Sequence, residues 1–509
     1  MLSGDIIIVN NSEFSLEERL HFEAKGAQGG LPNSVWETYS AFANTDGGTI
    51  YLGAIEDKKR NVVIRGVANP SRLIKEFWDA ANNQTKVNKN VLSSDDVYKE
   101  TVDGKTIVVV KVSRASRLLR PIHVGSDMFT GTYRRNGEGD YHCTPDEVRA
   151  MIRDSSADPV DAFMLPEFEL EDLNIDTVHA YRNHMRGTDL EHVWVDLPDD
   201  EFLCMIGAAK KDKAAGVVRP TRAGLLFFGN EYRITDEFPQ YFLDYREELN
   251  ADLRWTDRIV SSSGRWSGNL YDFFMKANNK LDDAIKKPFK LAEDNLTRID
   301  VTPAHRATRE ALTNCLAHAD HFGREGIVII RRKDSITMAN PGGLRMSLER
   351  ALEGGHSDPR NPTLMKMFSL LDIGERAGSG IPNIFHVWKE GDFADQPALV
   401  EEFQPERVTL TLPLATKEDL DGANNKTTIN NDKTTINNDK SAAKPVTPKE
   451  RKDAIVKLIK ESGLATSADV AKLLDLGSDR TREILRDITK EGLIVKQGVN
   501  KGTYYVLPE

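Results

Sequence analysis

Apolar and polar positions along this chain repeat with two different periods, which separates predicted helices from predicted strands. Residues Leu31–Asn44 have helical spacing, Thr49–Ala54 alternate, and Ile107–Val112 form an almost continuous apolar run. Helices repeat about every 3.6 residues and strands every two. We therefore predict one helix and two strands within residues 1–155, with a turn at Gly47–Gly48.

A further amphipathic helix is predicted near residue 311. Its buried stripe consists of Ala307, Ala311, Leu312, Cys315 and Leu316. Glu310 and Asn314 lie four residues apart and share one helix face. The carboxamide could ligate Mg²⁺, and the carboxylate could orient or deprotonate a water beside a phosphate. The glycine-rich segments Asn340–Gly343 and Gly378–Gly380 follow, and their backbone N–H groups could approach an anion closely.

The order and spacing of these motifs, with Arg360–Pro362 between the two glycine segments, resemble the N, G1 and G2 boxes of the GHKL ATPase superfamily. The resemblance implies ATP as cofactor, Glu310 as a catalytic group and Asn314 as metal ligand. It also implies nucleotide contacts from Asn340, Gly342, Gly343, Gly378 and Gly380. Asn340 stands where these ATPases usually have the adenine-binding Asp, a departure that concerns adenine selectivity more than phosphate binding. His318, four residues after Asn314, is the best placed of the nearby histidines for a structural or phosphate-contacting role.

Motifs of a second kind lie in the first 155 residues, at Glu18–Lys25, Ala41–Gly48 and Tyr51–Asp57. They resemble the AlbA_2 domain of Schlafen-like proteins. In Schlafen-family nucleases, two Glu and a later Asp bind a divalent metal and cleave tRNA or rRNA. Lys25 follows the second Glu, as in the family's Glu-x-Lys, and could steady the phosphate.

By this resemblance the catalytic, metal-binding carboxylates are Glu18, Glu23 and Asp57, which suit Mg²⁺ or Mn²⁺. Glu56 competes with Asp57 for the third position, since a shift of one residue would exchange them. Glu17 competes less well with Glu18. On a continuous helix Glu18 and Glu23 would point about 140° apart, so their convergence requires Glu23 to lie at the start of a strand.

Cations concentrate between residues 111 and 135, where six Lys or Arg accompany a single Asp. A solvated strand and loop is the simpler interpretation, but such a segment also suits phosphate contact, with Tyr133 available for stacking. The candidate nucleic-acid contacts, besides Lys25, are Arg114, Arg117, Arg120, Arg134 and Arg135. The segment does not distinguish DNA from RNA.

The C-terminal part begins with a polar tract at residues 417–446 that repeats with a period of seven and has one apolar residue per repeat. Such a tract favours a linker over a coiled coil. The predicted elements beyond it are helices at Lys449–Glu461, Ala468–Leu474 and Asp479–Lys490 and strands at Leu493–Val495 and Thr503–Leu507. This order resembles a winged helix-turn-helix, with Arg480, Arg482 and Arg486 on the candidate recognition helix. Winged helices also bind proteins.

Composition limits the class of protein. Of 509 residues, 39% are hydrophobic and 29% charged, and no apolar run reaches the ~20 residues that span a membrane. The N-terminus lacks a secretory signal pattern, and the cysteines, Cys143, Cys204 and Cys315, are odd in number, so we expect a cytoplasmic protein. The net charge of −11 argues against nonspecific coating of nucleic acid by the whole surface, but not against binding by local patches.

These observations predict an α/β (α+β multidomain) protein. Its parts are an AlbA_2-like α/β domain (1–155), a connecting α/β region whose aromatic residues we assign to the core (156–300), a GHKL-like α/β sandwich (301–416), the linker (417–446) and the winged helix (447–509). We expect a homo-oligomer that binds RNA or DNA and no membrane.

Two functions fit this organisation. The first is an ATP-controlled, metal-dependent Schlafen-like endoribonuclease that acts on tRNA or other structured RNA in anti-phage defence, and it is favoured by the acidic triad. The second is an ATP-responsive, DNA-binding transcriptional regulator without nuclease activity, favoured by the winged helix. A histidine-kinase-like enzyme is a weaker third hypothesis, because no phosphoacceptor helix is recognisable. We lean towards an enzyme.

Overall fold

A computed structural model describes residues 21–57, 62–137, 139–250, 252–285, 301–374, 378–403, 405–417, 448–462, 465–474, 481, 484–486, 488–489, 493–497 and 504–507. The chain forms two compact units, Met1–Asn425 and Lys426–Glu509. Within the described residues, no helix is both long enough and apolar enough to cross a membrane.

The N-terminal part of the first unit is built on a four-stranded sheet. The strands of this part are β1 (Phe22–Lys25), β2 (Gly48–Leu52), β3 (Ala54–Glu56), β4 (Val62–Ile64), β5 (Val97–Val102), β6 (Lys105–Val112), β7 (Tyr133–Asn136) and β8 (Gly139–His142). Its helices are α1 (Val35–Asn44), α2 (Pro70–Ala81), α3 (Met128–Gly131) and α4 (Pro145–Asp154). The sheet order is β1-β2-β6-β5, with β1 parallel to β2 and the other pairs antiparallel.

The predicted strand at residues 49–54 is divided in the structure. Gly53 has a φ of +102° and separates β2 from β3, because a left-handed residue breaks the extended backbone. The predicted helix begins four residues late, at Val35. The apolar run in β6 is explained by burial of Ile107–Val110 on both faces of the sheet.

Asn44 explains part of the Ala41–Gly48 motif. Its amide donates to the carbonyls of Ile122 (2.8 Å) and Tyr133 (2.9 Å) and accepts from the N–H of Ile122 (2.9 Å). A side chain at Gly48 would collide with the Phe42 ring. This motif therefore has a structural role in joining α1 to the loop and strand that follow β6.

The described residues in the middle of the first unit form nine further α-helices and β-strands. They are α5 (Ile175–Thr188), α6 (Asp199–Ile206), β9 (Ala209–Lys211), β10 (Val218–Pro220), α7 (Arg222–Phe228), α8 (Glu231–Glu237), β11 (Leu243–Glu248), β12 (Asp257–Val260) and α9 (Leu270–Asp282). Aromatic side chains fill their core, as expected: Tyr181, Phe227, Phe228 and Tyr271 are all buried and lie edge to face or tilted against one another.

The last part of the first unit carries the helix and glycine motifs. Its elements are α10 (Pro303–Ala317), β13 (Ile327–Arg332), β14 (Ser335–Pro341), α11 (Leu348–Glu353), α12 (Pro362–Ser369), α13 (Gly380–Glu390), β15 (Ala398–Phe403) and β16 (Glu406–Pro413). A six-stranded sheet runs in the order β12-β11-β13-β14-β16-β15, and only β11 and β13 are parallel. Because β11 and β12 belong to this sheet, it extends across the boundary predicted at residue 300.

The second unit contains α14 (Pro448–Ser462), α15 (Ser467–Leu474), β17 (Val495–Gln497) and β18 (Tyr504–Val506). The two strands pair antiparallel. Ile455, Ile459, Val470, Leu485 and Ile488 belong to its buried core. The two predicted helices and the two strands that fall on described residues are present, with ends shifted by one or two residues, whereas half of the predicted helix 479–490 lies outside the described residues.

Candidate functional site

Helix α10 presents the two polar residues on which the ATP prediction depends. Its N-terminus is closed by a capping box between Thr302 and His305, with Pro303 at the first position. The whole predicted stripe is at most 4% exposed, which confirms the helical interpretation: Ala307, Ala311, Leu312, Cys315 and Leu316. Asn314 Nδ2 donates to Glu310 Oε1 at 3.4 Å, so both polar groups lie together on the other face.

The second glycine segment lies directly against Glu310. Gly380 begins α13, and a Cβ there would collide with Glu310 Oε1 and lie 3.1 Å from Asn314 Nδ2. Gly378 has a φ of +67°, and a Cβ there would collide with the backbone of His356. A side chain at either position would therefore displace backbone or the Glu310 carboxylate.

The first glycine segment follows β14 and is equally confined. Gly342 has a φ of +88°, and a Cβ there would collide with the Arg360 guanidinium. At Gly343 a Cβ would lie 2.5 Å from Glu401 Oε1. Both glycines therefore allow charged side chains to reach the turn itself.

The helix and the two glycine segments surround one open cavity of about 1000 Å³. Its lining includes seven predicted site residues: Glu310, Asn314, His318, Asn340, Gly343, Gly378 and Gly380. Gly342 is the neighbour of Gly343 in the same turn. Met338, Leu399, Val408 and Leu410 add an apolar part to the wall. An apolar wall with a few convergent polar groups is the usual composition of a small-molecule site.

Electrostatics within this wall make His318 a neutral group. Burial, together with the neighbouring cations Arg360 and Arg345, lowers the pKa of His318 to about 4. At neutral pH the imidazole therefore carries no charge. Positive charge beside the cavity comes instead from the two arginines, which also line it.

Arg360 is the central residue that sequence reasoning left without a role. Its Nε and Nη2 donate to the Asp154 carboxylate at 2.9 and 2.7 Å, and its other bonds reach the carbonyls of His318 (2.8 Å) and Gly343 (3.0 Å). Although burial acts to raise the pKa of Asp154, Arg360 holds it below its usual value. The available signal was the position of Arg360–Pro362 between the two glycine segments, but its partner Asp154 is 206 residues away.

Arg114 makes a second bond between the N-terminal part and the cavity wall. Its guanidinium donates to both Glu401 oxygens, at 2.7 and 3.0 Å, and to the carbonyl of Leu344 at 2.8 Å. Glu401 in turn accepts the N–H of Leu344 at 2.7 Å. The side chains of Arg114 and Glu401 are 8% and 6% exposed. This predicted nucleic-acid contact is thus held within the protein, beside the first glycine turn.

The other arginines of the basic segment are also largely inside. Arg117 pairs with Asp358, Arg134 with Glu147, and Arg135 with both Glu23 and Asp140; Arg120 is 6% exposed. These side chains do not form an open cationic surface in the structure, because Arg117, Arg134 and Arg135 pair with nearby carboxylates and Arg120 is buried. Their contact with nucleic acid stays a prediction.

The predicted acidic triad is described only in part. Glu18 and its competitor Glu17 lie outside the described residues. Glu23 lies in β1, as convergence requires, and accepts Lys25 Nζ and Arg135 Nη1, each at 3.0 Å. Asp57 follows β3 and is half-buried, whereas Glu56 is exposed. Over the part of the chain that the structure describes, no group of three His, Cys, Asp or Glu could hold a metal ion.

Of the candidate recognition-helix residues, Arg480 and Arg482 lie outside the described residues. Arg486 is exposed and follows the buried Leu485. The three-arginine contact on that helix stays a prediction.

Comparisons with known proteins fit this organisation. The family model "Schlafen, AlbA_2" matches residues 18–144, and the model "ATP-dependent DNA helicase recG C-terminal" matches residues 325–412. A third model, a domain of unknown function, matches residues 149–244. The second match begins after α10, so Glu310 and Asn314 lie outside it. A search of curated proteins gave no significant match.

Two solved structures are similar to this chain. A protein from Corynebacterium diphtheriae is 17% identical over 96% of this chain and 95% of its own, with a TM-score of 0.38. The N-terminal domain of a DNA helicase RecG-related protein from Nitrosomonas europaea is 28% identical over 25% of this chain and 90% of its own, with a TM-score of 0.20. By its family-model matches, the chain carries a Schlafen AlbA_2 domain followed by a HATPase domain of the RecG C-terminal type.

Proposed function

We propose that ATP with Mg²⁺ binds the cavity bounded by α10 and the two glycine segments, and that this nucleotide controls action on nucleic acid by the AlbA_2 domain. The observation that carries the proposal is the convergence of Glu310, Asn314, Gly343 and Gly380 around one cavity. These residues lie between positions 310 and 380 of the chain, so only the tertiary structure brings them together, and sequence spacing alone did not require it.

The donor set fits this cofactor. Mg²⁺ is commonly held by one or two protein oxygens together with substrate phosphates, so Asn314 does not need two more protein ligands. Gly380 leaves room beside the Glu310 carboxylate that any side chain would fill. Glu310 could then orient or deprotonate a water, and Arg345 and Arg360 supply positive charge near the phosphates.

Control of the AlbA_2 domain is supported by its bonds to the cavity wall. Arg360 bonds both Gly343 and Asp154, and Arg114 bonds both Leu344 and Glu401. A nucleotide that moves the first glycine turn would change the distance between these partners. The contacts would then differ between the nucleotide-bound and nucleotide-free states, as coupling between two sites requires.

Calorimetry tests the nucleotide site. Asn314→Ala should weaken ATP binding in the presence of Mg²⁺, because a metal ligand is lost, whereas Arg72→Ala should not, since Arg72 lies on the exposed face of α2. If Asn314→Ala binds ATP as the parent does and is folded by circular dichroism, the cavity is not the site.

For the action itself, the proposal includes metal-dependent cleavage of structured RNA in anti-phage defence. Glu23 in a strand beside Lys25 supports it. Mn²⁺-dependent cleavage of tRNA should be lost in Glu23→Gln, which keeps the size of the side chain, while ATP binding persists. Cleavage at the parental rate in Glu23→Gln would remove the nuclease hypothesis.

The alternative is an ATP-responsive regulator that binds DNA without cutting it. One observation favours it: both carboxylate oxygens of Glu23 already accept a cation, from Lys25 and Arg135. These two cations compete with a divalent metal ion for the same carboxylate. Salt-dependent duplex binding with no cleavage of RNA or plasmid in Mn²⁺ would decide for the regulator.

A further inference from the structure

A second cleft lies on the outer side of the cavity wall, between the AlbA_2 domain and the segment that follows the first glycine turn. It encloses about 960 Å³ of open space. One side is lined by residues 114–118, which follow β6, and the other by residues 345–347, 350 and 356–358. Arg345, His356 and Asp358 line both the cleft and the ATP cavity, so they form the wall between them.

The charge of this cleft is unbalanced. Arg114 also lines it, but Glu401 neutralises that charge through a bidentate pair. The three remaining arginines, Arg117, Arg345 and Arg350, face one carboxylate in the lining, Asp358, which already pairs with Arg117 at 2.5 Å. His356 lies 3.4 Å from Arg350 Nη2 and adds a polar nitrogen.

Arg345 is a second, independent observation that points to an anion site. Its side chain is 9% exposed, and its two terminal nitrogens donate only to carbonyls, those of Pro359 and Asp154. Its Nε has no hydrogen-bond partner and lies 3.7 Å from Asp358 Oδ2. Burial lowers the pKa of this guanidinium to about 10, although Asp154 and Asp358 act to raise it. A buried donor without a partner is costly unless a ligand supplies one.

The lining also indicates which part of a ligand would bind. Besides Arg114, it contains three arginines that share the one carboxylate of Asp358, two serines besides Ser116, and the apolar Leu118 and Met346, but no Phe, Tyr or Trp. A base or nucleoside is usually held by aromatic stacking, whereas a phosphate needs charged donors. The chemistry therefore fits a phosphate group and not a base.

We propose that this cleft is a second anion site, separate from the ATP cavity, that binds a phosphate group between Arg117, Arg345 and Arg350. The phosphate could belong to a small molecule or to a nucleic-acid end. The proposed anion site does not depend on ATP binding. Its only link to the proposed function is the wall that it shares with the ATP cavity.

Titration calorimetry with inorganic pyrophosphate on the full chain tests the proposal. Arg350→Gln should weaken pyrophosphate binding at least about fivefold, because one of the three cations that would hold the anion is lost. Arg350 is exposed, so we expect this variant to fold. Arg117→Gln should weaken it similarly, with thermal unfolding used to confirm that the protein is folded. Asn314→Ala should leave pyrophosphate binding within about twofold, and Arg72→Gln is the matched surface control.

The outcomes separate the two sites. Pyrophosphate binding that is lost in Asn314→Ala but kept in Arg350→Gln would place the anion in the ATP cavity and overturn the second site, as would no binding at all. ATP binding that fails while pyrophosphate binding depends on Arg350 would overturn the nucleotide proposal and support the cleft. Competition by a 5′-phosphorylated oligonucleotide would identify a nucleic-acid end as the source, and its absence a small phosphate.

Discussion

The ATP cavity and the basic segment of the AlbA_2 domain were both predicted as sites from the sequence, but their side chains are arranged differently in the structure. At the cavity, residues chosen for spacing and glycine content lie together around one space. In the basic segment, most of the arginines chosen for charge are turned inward and paired with carboxylates. Helix periodicity and glycine geometry are local constraints, whereas the exposure of a charge depends on which distant partner it meets.

The ion pair between Arg360 and Asp154 should give the largest effect among the tests of this comparison. Asp154→Asn should lower the free energy of unfolding by about 3–5 kcal/mol, because it leaves a buried guanidinium without its anion. Urea unfolding measures the change. Glu76→Gln, which removes the partner of the exposed Arg72, should cost less than about 0.5 kcal/mol. Equal small effects in both variants would show that the arginines are not held as described.

Glu310 tests the chemical side of the cavity. Glu310→Gln should reduce ATP hydrolysis by about 100-fold or more, because the group that orients or deprotonates water is neutralised, while ATP affinity changes little. A steady-state phosphate-release assay, together with calorimetry, separates the two effects. Hydrolysis at the parental rate would show that this carboxylate does not act on the water.

Gly380 tests the fit between the second glycine segment and α10. Gly380→Ala should weaken ATP binding about tenfold, since the added methyl would displace the Glu310 carboxylate. Gly187→Ala, in α5 with open space around the glycine, is the matched control and should bind ATP normally. Parental affinity in Gly380→Ala would argue against contact between these elements in solution.

A smaller effect is expected at His321, where the free energy of unfolding should depend on pH. It is 7% exposed, and burial lowers its pKa to about 4 from an ordinary value near 6.5. Between these values the unfolded chain binds a proton that the folded protein does not, so stability rises with pH and is lost as pH falls towards 4. In His321→Gln this contribution, roughly 1 kcal/mol or more, should disappear. Unfolding curves at pH 4.5 and 7 that differ equally in parent and variant would contradict it.

Much of the candidate site was predictable because its determinants are local. The stripe from Ala307 to Leu316 fixes the face of α10, and therefore where Glu310 and Asn314 point. The glycines were visible as a composition signal, although the reason for them was not: Gly378 meets the backbone of His356, and Gly342 meets Arg360. The role of Arg345 and the shared wall between two cavities had no sequence signal.

By itself, the sequence determined the two domain types, the helix that carries Glu310 and Asn314, and the positions at which a side chain would be excluded. Only the tertiary structure decided that β11 and β12 complete the sheet of the ATP module, and that Arg114 and Arg117 meet Glu401 and Asp358 across more than 200 residues of chain. The physical reason is the distance along the chain over which each effect acts. Backbone periodicity acts over a few residues, but the cost of burying a charge is met by whichever partner the fold brings near.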